Sequence, residues 1–181
     1  MDFFVKYMPN PAEALKESNL VDKPFAGIVF KTLADPYTGK ISYLRLYQGE
    51  LTNEKVLYNP NKDTEEKAGQ LLIMRGKNQD PVTTLKAGDI CAIPKLQQTS
   101  TGDTLCEKGS DIVLEGIEFP EPNFSVAITP KNKGDEDKLG SGISKILNED
   151  PALKMEKNIE TNETILTGMG ELHLDVVVSK L

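Results

Sequence analysis

The chain has 181 residues and a formal net charge of −7 at pH 7, with 38% hydrophobic and 27% charged residues. This composition excludes an intrinsically disordered chain, and the length accommodates one ordinary domain or two small ones. The negative charge excludes a protein that coats nucleic acid by bulk electrostatics, because phosphate binding depends on Lys and Arg. No apolar stretch approaches the roughly 20 residues that cross a bilayer, and the start lacks a secretory signal, so we predict a cytoplasmic protein without a membrane segment.

The first 24 residues predict the end of an upstream domain followed by a linker. An apolar cluster at residues 3–8 precedes Pro9 and Pro11, and prolines in this position usually end a helical turn. A flexible apolar tail is the alternative interpretation. Residues 12–23 are polar and show no clear period, so we expect a linker with about one helical turn.

Residues 25–107 are predicted to form an all-β barrel domain. Pro36 presets φ and Gly39 supplies a positive φ between two β-like runs, so a hairpin is expected there. Closely spaced short strands favour a closed barrel or a sandwich, because closure removes exposed strand edges. The barrel is expected to end near Cys106, and residues 108–122 are expected to be a linker. The predicted strands are residues 25–33, 40–48, 55–58, 68–74, 82–85 and 90–93.

Residues 123–181 are predicted to form an α+β domain. The expected order is a strand, a helix, two strands in a hairpin and a second helix. This order (βαββα) is that of a ferredoxin-like fold whose fourth strand is missing, and we expect a segment cut from a longer protein. The expected ranges are 124–128, 135–148, 153–159, 164–167 and 171–181, with Leu139, Ile143, Ile146 and Leu147 on one face of the first helix and Leu172, Val176 and Val177 inward on the second.

Metal and hydrolytic chemistry have little support in the residue inventory. Cys91 and Cys106 lie among apolar or small residues, which is typical of reduced, buried thiols. Together with His173, the single histidine, they are too few for a four-ligand zinc site. No nucleophile pattern surrounds His173, and no carboxylate pair is spaced for shared acid and base chemistry. We therefore predict no metal site and no catalytic residue.

Four blocks of residues, in a fixed order, connect the chain to a known family. They resemble the barrel domain (domain II) and the following domain (domain III) of bacterial translation elongation factor G, from about Phe25 to Leu181. The junction Tyr7-Met8-Pro9-Asn10-Pro11 is also similar to the end of that family's GTPase domain. The blocks are Phe25-Ala26-Gly27-Ile28-Val29-Phe30-Lys31 with Asp35-Pro36-Tyr37-Thr38-Gly39-Lys40, Thr99-Ser100-Thr101-Gly102-Asp103-Thr104-Leu105-Cys106, Glu118-Phe119-Pro120-Glu121-Pro122 with Glu149-Asp150-Pro151, and Gly168-Met169-Gly170-Glu171-Leu172-His173-Leu174-Asp175.

The resemblance implies the ribosome-binding middle portion of a translational GTPase that acts in tRNA and mRNA translocation. The implied partners are small-subunit ribosomal RNA, ribosomal proteins and the parent's own GTPase and C-terminal domains, and we expect a monomer. A divergent paralogue and a tetracycline-resistance ribosome-protection protein are alternatives within the same class. A stand-alone module that binds nucleic acid or a protein is the alternative from another class.

Nucleotide binding is implied for the parent protein but not for this chain. The parent would hold GTP and Mg, whereas this chain has no phosphate loop of the form G-x-x-x-x-G-K-S/T, so we expect no cofactor in it. Asn132-Lys133-Gly134-Asp135 fits the N-K-x-D pattern by which GTPases recognise guanine. Without the phosphate loop the nucleotide has no anchor, and we interpret this segment as a polar turn that leads into the first helix.

Basic residues of the barrel are the first set of candidate contacts. They could belong to an ordinary solvated face, whereas the resemblance implies that a few of them bind phosphates of ribosomal RNA and set orientation without reading sequence. Lys31, Lys40 and Arg45 come from the first hairpin, and Arg75 and Lys77 come from a later one.

The turn before the last helix supplies the second set. Its glycines are consistent with a tight strand-to-helix connection. The resemblance implies instead that this region faces the GTPase domain and the ribosome, where fusidic acid binds in this family. The residues in question are Gly168, Met169, Gly170, Glu171, His173 and Val177.

Overall fold

The computed structural model describes residues 2–8, 24–35, 38–110, 112–130, 132, 134–161 and 163–181. The chain divides into two compact units, Met1–Gly116 and Ile117–Leu181. A short helix, α1 (Asp2–Tyr7), is present where the apolar N-terminal cluster predicts a helical turn, and its side chains are exposed. The predicted linker at residues 12–23 lies outside the described residues.

The first unit is a β-barrel-like domain built around one large antiparallel sheet. Eight strands follow in the order β5-β4-β10-β1-β2-β9-β6-β7, and β3 pairs separately with β8. Gly39 opens the second strand with a φ of 81°, as its turn position predicts. The strands are β1 (Ala26–Asp35), β2 (Gly39–Gln48), β3 (Glu50–Thr52), β4 (Val56–Asn59), β5 (Thr64–Lys67), β6 (Leu71–Arg75), β7 (Asn78–Val82), β8 (Thr84–Lys86), β9 (Ile90–Pro94) and β10 (Thr104–Cys106).

The core of this unit follows from side-chain alternation along the long strands. On β2, Leu44 and Leu46 are buried, whereas Tyr43, Arg45 and Tyr47 point to the other face. The inward side chains form one apolar cluster that also includes residues of β1, β4, β6, β9 and β10. Most of its members were predicted as strand residues, so the barrel prediction is confirmed.

The short strands β3, β5, β7 and β10 were not predicted from the sequence. The sequence of β5 is Thr-Glu-Glu-Lys, and β7 contains Pro81. Both strands lie at the ends of the sheet order and pair on one side only. They are defined by backbone hydrogen bonds to a single neighbour, and their sequences show no apolar pattern from which a strand could be predicted. The run predicted at residues 82–85 is divided between the end of β7 and β8.

The second unit has the predicted strand-helix-strand-strand-helix order. Its sheet is antiparallel with the order β11-β13-β12, and both helices supply apolar side chains to one core. Ile143 and Ile146 are buried as predicted, and Leu139 and Leu147 pack against the same core. The elements are β11 (Phe124–Ile128), α2 (Glu136–Glu149), β12 (Lys154–Lys157), β13 (Thr164–Gly168) and α3 (Glu171–Lys180).

The predicted inward face of α3 is wrong for two of its three residues. Leu172 is 77% exposed and Val176 is 48% exposed, whereas Leu174 (2%) and Val177 (5%) are buried. The helix has apolar residues on several sides, so the sequence pattern does not select one face. The packing of Leu174 against the end of β13 decides which face of α3 is buried.

In the part of the chain that the structure describes, no helix is long and apolar enough to cross a membrane. Cys91 and Cys106 are buried as free thiols. Among the same residues, no group of three or more His, Cys, Asp or Glu side chains is arranged to hold a metal ion.

Candidate functional site

The outward face of the β1–β2 hairpin brings Lys31 and Arg45 onto one surface. The register pairs Lys31 with Tyr43, and a bulge between Val29 and Lys31 gives Lys31 this position. Tyr43 and Arg45 are two residues apart on β2, so all three side chains share a face. Because both basic side chains are exposed, this surface can bind an anion such as a phosphate.

Aromatic rings lie beside these two cations. The Arg45 guanidinium lies 5.1 Å from the centroid of the Tyr47 ring, and the rings of Phe30 and Tyr43 have centroids 6.2 Å apart. Tyr47 is 41% exposed, so part of its ring is open to solvent. A flat ring next to a guanidinium suits contact with a nucleotide. These aromatic residues were not predicted from the sequence, although the alternation of Tyr43, Arg45 and Tyr47 was a usable signal.

Lys40 is bound to its own chain and is not part of that surface. Its Nζ donates to the carbonyl oxygen of Thr99 at 2.5 Å and to that of Gln97 at 3.3 Å. Burial lowers the pKa of Lys40, and the positive charge of Lys62 lowers it further. The ammonium group therefore holds the loop that leads to β10.

Arg75 and Lys77 lie on the β6–β7 hairpin, away from the first hairpin in the strand order. The Nε of Arg75 lies 2.9 Å from Asp80 Oδ2, and both side chains are largely exposed. An exposed pair of this kind contributes little to stability. Lys77 is exposed in the turn. The five predicted basic residues therefore occupy three separate places, of which only the pair Lys31 and Arg45 shares one face.

The turn before α3 combines a tight glycine contact with an open surface. A Cβ on Gly168 would lie 2.6 Å from Leu174 Cδ2 and 3.2 Å from His173 Nδ1. Gly170 precedes the helix in an extended conformation and makes no side-chain cap. Glu171 is exposed in the first turn, where its charge favours the positive end of the helix dipole.

His173 is hydrogen bonded at both ring nitrogens within its own unit. Its Nδ1 accepts the N–H of Met169 at 3.1 Å, and its Nε2 lies 2.9 Å from Asp150 Oδ2. Val177 is only 5% exposed and belongs to the core. Of the second predicted set, Met169 and Glu171 thus have side chains open to a partner, whereas Val177 is packed inside.

An exposed apolar stripe runs along the same helix. Leu172 (77%) and Val176 (48%) are exposed four positions apart on α3, which places them on one side of the helix, and Met169 (40%) is exposed in the turn just before it. This stripe was not predicted from the sequence, because Leu172 and Val176 were expected in the core. Exposed apolar side chains that line up in this way are typical of a contact surface.

The segment that resembles a guanine-recognition motif forms a turn at the start of α2. The N–H of Asp135 donates to the carbonyl oxygen of Asn132 at 3.3 Å. Hydrogen bonds from Lys138, and then from the side chain of Asn132, lower the pKa of Asp135. Lys133 lies outside the described residues. The Asp135 carboxylate, which would bind guanine in such a motif, is instead hydrogen bonded to side chains of the turn and of the first helical turn.

Comparison with known proteins matches the two units in order. The profile of elongation factor G domain 2 matches residues 24–108, and that of elongation factor G domain III matches residues 119–181. A crystal structure of a protein from Thermus thermophilus is 31% identical with a TM-score of 0.81, and the alignment covers 99% of this chain and 26% of that one. The chain thus spans about a quarter of that protein's length.

A β-barrel-like domain followed by a small, incomplete ferredoxin-like domain, both matched in this order, defines a fragment of a translation elongation factor. The chain belongs to the elongation factor G family, of which it carries domains II and III.

Proposed function

We propose that this chain is the ribosome-binding middle portion of an elongation factor G-like GTPase that acts in tRNA and mRNA translocation. The observation that carries the proposal is the ordered match to domains II and III. The parent protein binds GTP and Mg in a domain outside this chain, and hydrolysis there shifts these two domains against their neighbours. The chain itself has a mechanical role and performs no chemical step.

Two surfaces support the proposed partners. Lys31 and Arg45, with the Tyr47 ring beside them, offer exposed cations to phosphates of small-subunit ribosomal RNA. The stripe of Met169, Leu172 and Val176 offers an apolar contact to the parent's GTPase domain or to a ribosomal protein. We propose that the protein works as a cytoplasmic monomer.

Sedimentation with ribosomes, between about 50 and 200 mM salt, tests the ribosomal part of the proposal. The chain should pellet weakly and in a salt-sensitive manner. A Lys31→Glu/Arg45→Glu variant should bind less, and the slope of log affinity against log salt should fall by about 1 for each phosphate that the variant no longer binds. The matched control is Lys67→Glu/Lys86→Glu, which makes the same charge change at exposed lysines outside the predicted set. An equal decrease in both variants would contradict the assigned surface.

Calorimetry with GTP and Mg tests whether nucleotide binding resides in the parent's GTPase domain and not in this chain. The isolated chain should release no binding heat, because it has no phosphate loop. Micromolar affinity would contradict this part of the proposal.

Binding to RNA oligonucleotides without any binding to ribosomes would favour the stand-alone interaction module instead.

A further inference from the structure

The start of α3 is fixed by a side chain inside the helix and not by a helix cap. Gly170 is the N-cap residue and has no side chain to accept from the first N–H groups. His173, one turn into the helix, reaches back to the N–H of Met169 and across to Asp150. Asp150 is the C-cap residue of α2. The ring therefore connects the end of one helix to the turn that begins the other.

The two hydrogen bonds require one particular form of the imidazole. A neutral ring has one N–H and one free nitrogen lone pair. The N–H of Met169 points at Nδ1, so Nδ1 must carry the lone pair and Nε2 must carry the proton, which it donates to the Asp150 carboxylate. The other tautomer, or a doubly protonated ring, would set the N–H of Nδ1 against the N–H of Met169.

The neighbours of Asp150 and Gly168 restrict the ring further. Asp150 Oδ1 accepts the N–H of Ala152 at 2.9 Å, so Oδ2 is the carboxylate oxygen that serves His173. A side chain at Gly168 would meet His173 Nδ1 at 3.2 Å and Leu174 at 2.6 Å. Position 168 thus has room only for glycine, and the His173 ring lies directly against the backbone there.

We propose that His173 is a positioning residue, held as the neutral Nε2–H tautomer, which locks the Met169–Gly170 turn to the C-cap of α2. Both nitrogens are used inside the unit, so the ring supports the exposed side chains of Met169 and Leu172 and does not itself bind a partner. Only the identity of the partner that meets those side chains rests on the proposed function. The lock itself depends on contacts within residues 150–173.

Nitrogen-15 NMR of the full chain tests this assignment directly, because His173 is the only histidine. At about pH 8, where an ordinary imidazole is neutral, Nδ1 should resonate as a non-protonated ring nitrogen and Nε2 as a protonated one. Averaged signals of two exchanging tautomers, or a protonated Nδ1, would overturn the proposal. The spectrum requires no ribosome, so its result is independent of the proposed function.

Two variants extend the test. Asp150→Ala removes the carboxylate that accepts from Nε2–H, so the two tautomers should begin to exchange and the nitrogen signals should move toward averaged values; signals as distinct as those of the wild type would show that Asp150 does not hold the ring and would overturn the proposed link to α2. His173→Phe keeps a ring but removes both nitrogens, and the Met169 amide should exchange with solvent roughly fivefold faster. The Leu174 amide, which donates to Gly170 O, is the internal reference, and equal acceleration of both amides would count against a specific lock.

Discussion

Thr99 binds the carboxylate of Glu66 twice: its hydroxyl donates to Oε2 at 2.5 Å and its N–H donates to the same oxygen at 2.9 Å. The other oxygen, Oε1, accepts the N–H groups of Gln97 and Gln98. One side chain on β5 thus satisfies three consecutive backbone donors of the loop between β9 and β10. From the other side, the Lys62 ammonium donates to the carbonyl oxygen of Gln98 at 2.7 Å.

Glu66→Gln should destabilise the barrel in a pH-dependent way. Burial raises the pKa of Glu66, but the hydrogen bonds from Thr99 and from the backbone N–H groups of Gln98 and Gln97 outweigh it and hold the pKa below its usual value. The stabilisation is therefore complete above the unfolded-state pKa and is lost as the pH falls through the folded-state pKa. We expect a loss of about 1 kcal/mol at neutral pH, limited by solvent screening.

Urea unfolding of the wild type and of Glu66→Gln, between about pH 7 and 3, measures this difference. The gap between them should narrow as the pH falls. Glu54→Gln is the control, since its side chain is 79% exposed and its nearest cation, Lys67, lies 3.8 Å away. A gap that stays constant over the whole pH range would show that the Glu66 carboxylate is not the stabilising group.

Asp103→Ala should cost about 3 kcal/mol of barrel stability. Asp103 Oδ2 accepts from Asn59 Nδ2 and from the N–H of Ser100, both at 2.8 Å, and lies 2.9 Å from Lys62 Nζ. Asn59 is fully buried, so its amide would lose its acceptor in the interior. Denaturant unfolding of both single variants and of Asn59→Ala/Asp103→Ala should give strongly non-additive losses. Additive losses would argue against a coupling between Asn59 and Asp103. Asp80→Ala is the control: its carboxylate belongs to an exposed ion pair, so the substitution should change stability by less than about 0.5 kcal/mol.

Gly27→Ala should destabilise the barrel by about 2–3 kcal/mol. A Cβ at this position would lie 2.6 Å from the carbonyl oxygen of Arg45, which belongs to the neighbouring strand. This backbone group cannot move away without disturbing the pairing of β1 with β2. Gly69→Ala is the control, because nothing lies within 4 Å of its added Cβ. Thermal unfolding compares the two, and equal melting temperatures would refute the close approach.

Gly140→Ala should stabilise the second unit by up to about 1 kcal/mol. Gly140 lies inside α2, where Ala is the better helix former, and its added Cβ meets no atom within 4 Å. At Gly142 the added Cβ would lie 3.0 Å from Leu181 Cδ2, so the gain there should be smaller. Helix content by circular dichroism and thermal unfolding measure both variants. A larger gain at Gly142 than at Gly140 would contradict the close approach of Leu181 to α2.

Cys91 should not react with alkylating reagents while the barrel is folded. Burial raises the pKa of the Cys91 thiol to about 12, and the charge of Asp89 contributes to the rise. At pH 8 only about one thiol in ten thousand would be the reactive thiolate. Alkylation followed by mass spectrometry, with and without urea, should show modification only after unfolding. Rapid modification of Cys91 in the native protein would contradict its 2% exposure.

The order and type of the larger elements were predictable from local residue patterns. Turn chemistry at Gly39 marked the first hairpin, and the apolar spacing of Ile143 and Ile146 marked the buried face of α2. The short strands β5 and β7 could not be predicted in this way, because their partners lie across the sheet and their own residues are polar or include proline.

The candidate sites were predictable only as a set of residues, without their roles. Lys31, Lys40 and Arg45 look alike in the sequence, yet the fold leaves two of them exposed and binds the third to the carbonyl oxygens of Gln97 and Thr99. His173 lies 23 positions after Asp150 in the sequence, and the hydrogen bond between them depends on how α2 and α3 pack. No local pattern contains such a pairing.

Family membership and domain order could thus be inferred from short residue blocks, because the blocks and their order are visible in the sequence before the fold is known. The orientation of α3, the binding of Lys40 to the loop and the hydrogen bonds of the histidine depend on long-range packing. The reason is physical: turn preference and apolar period act over a few neighbouring residues, whereas burial and hydrogen-bond partners are set by atoms that the chain brings close only when it is folded.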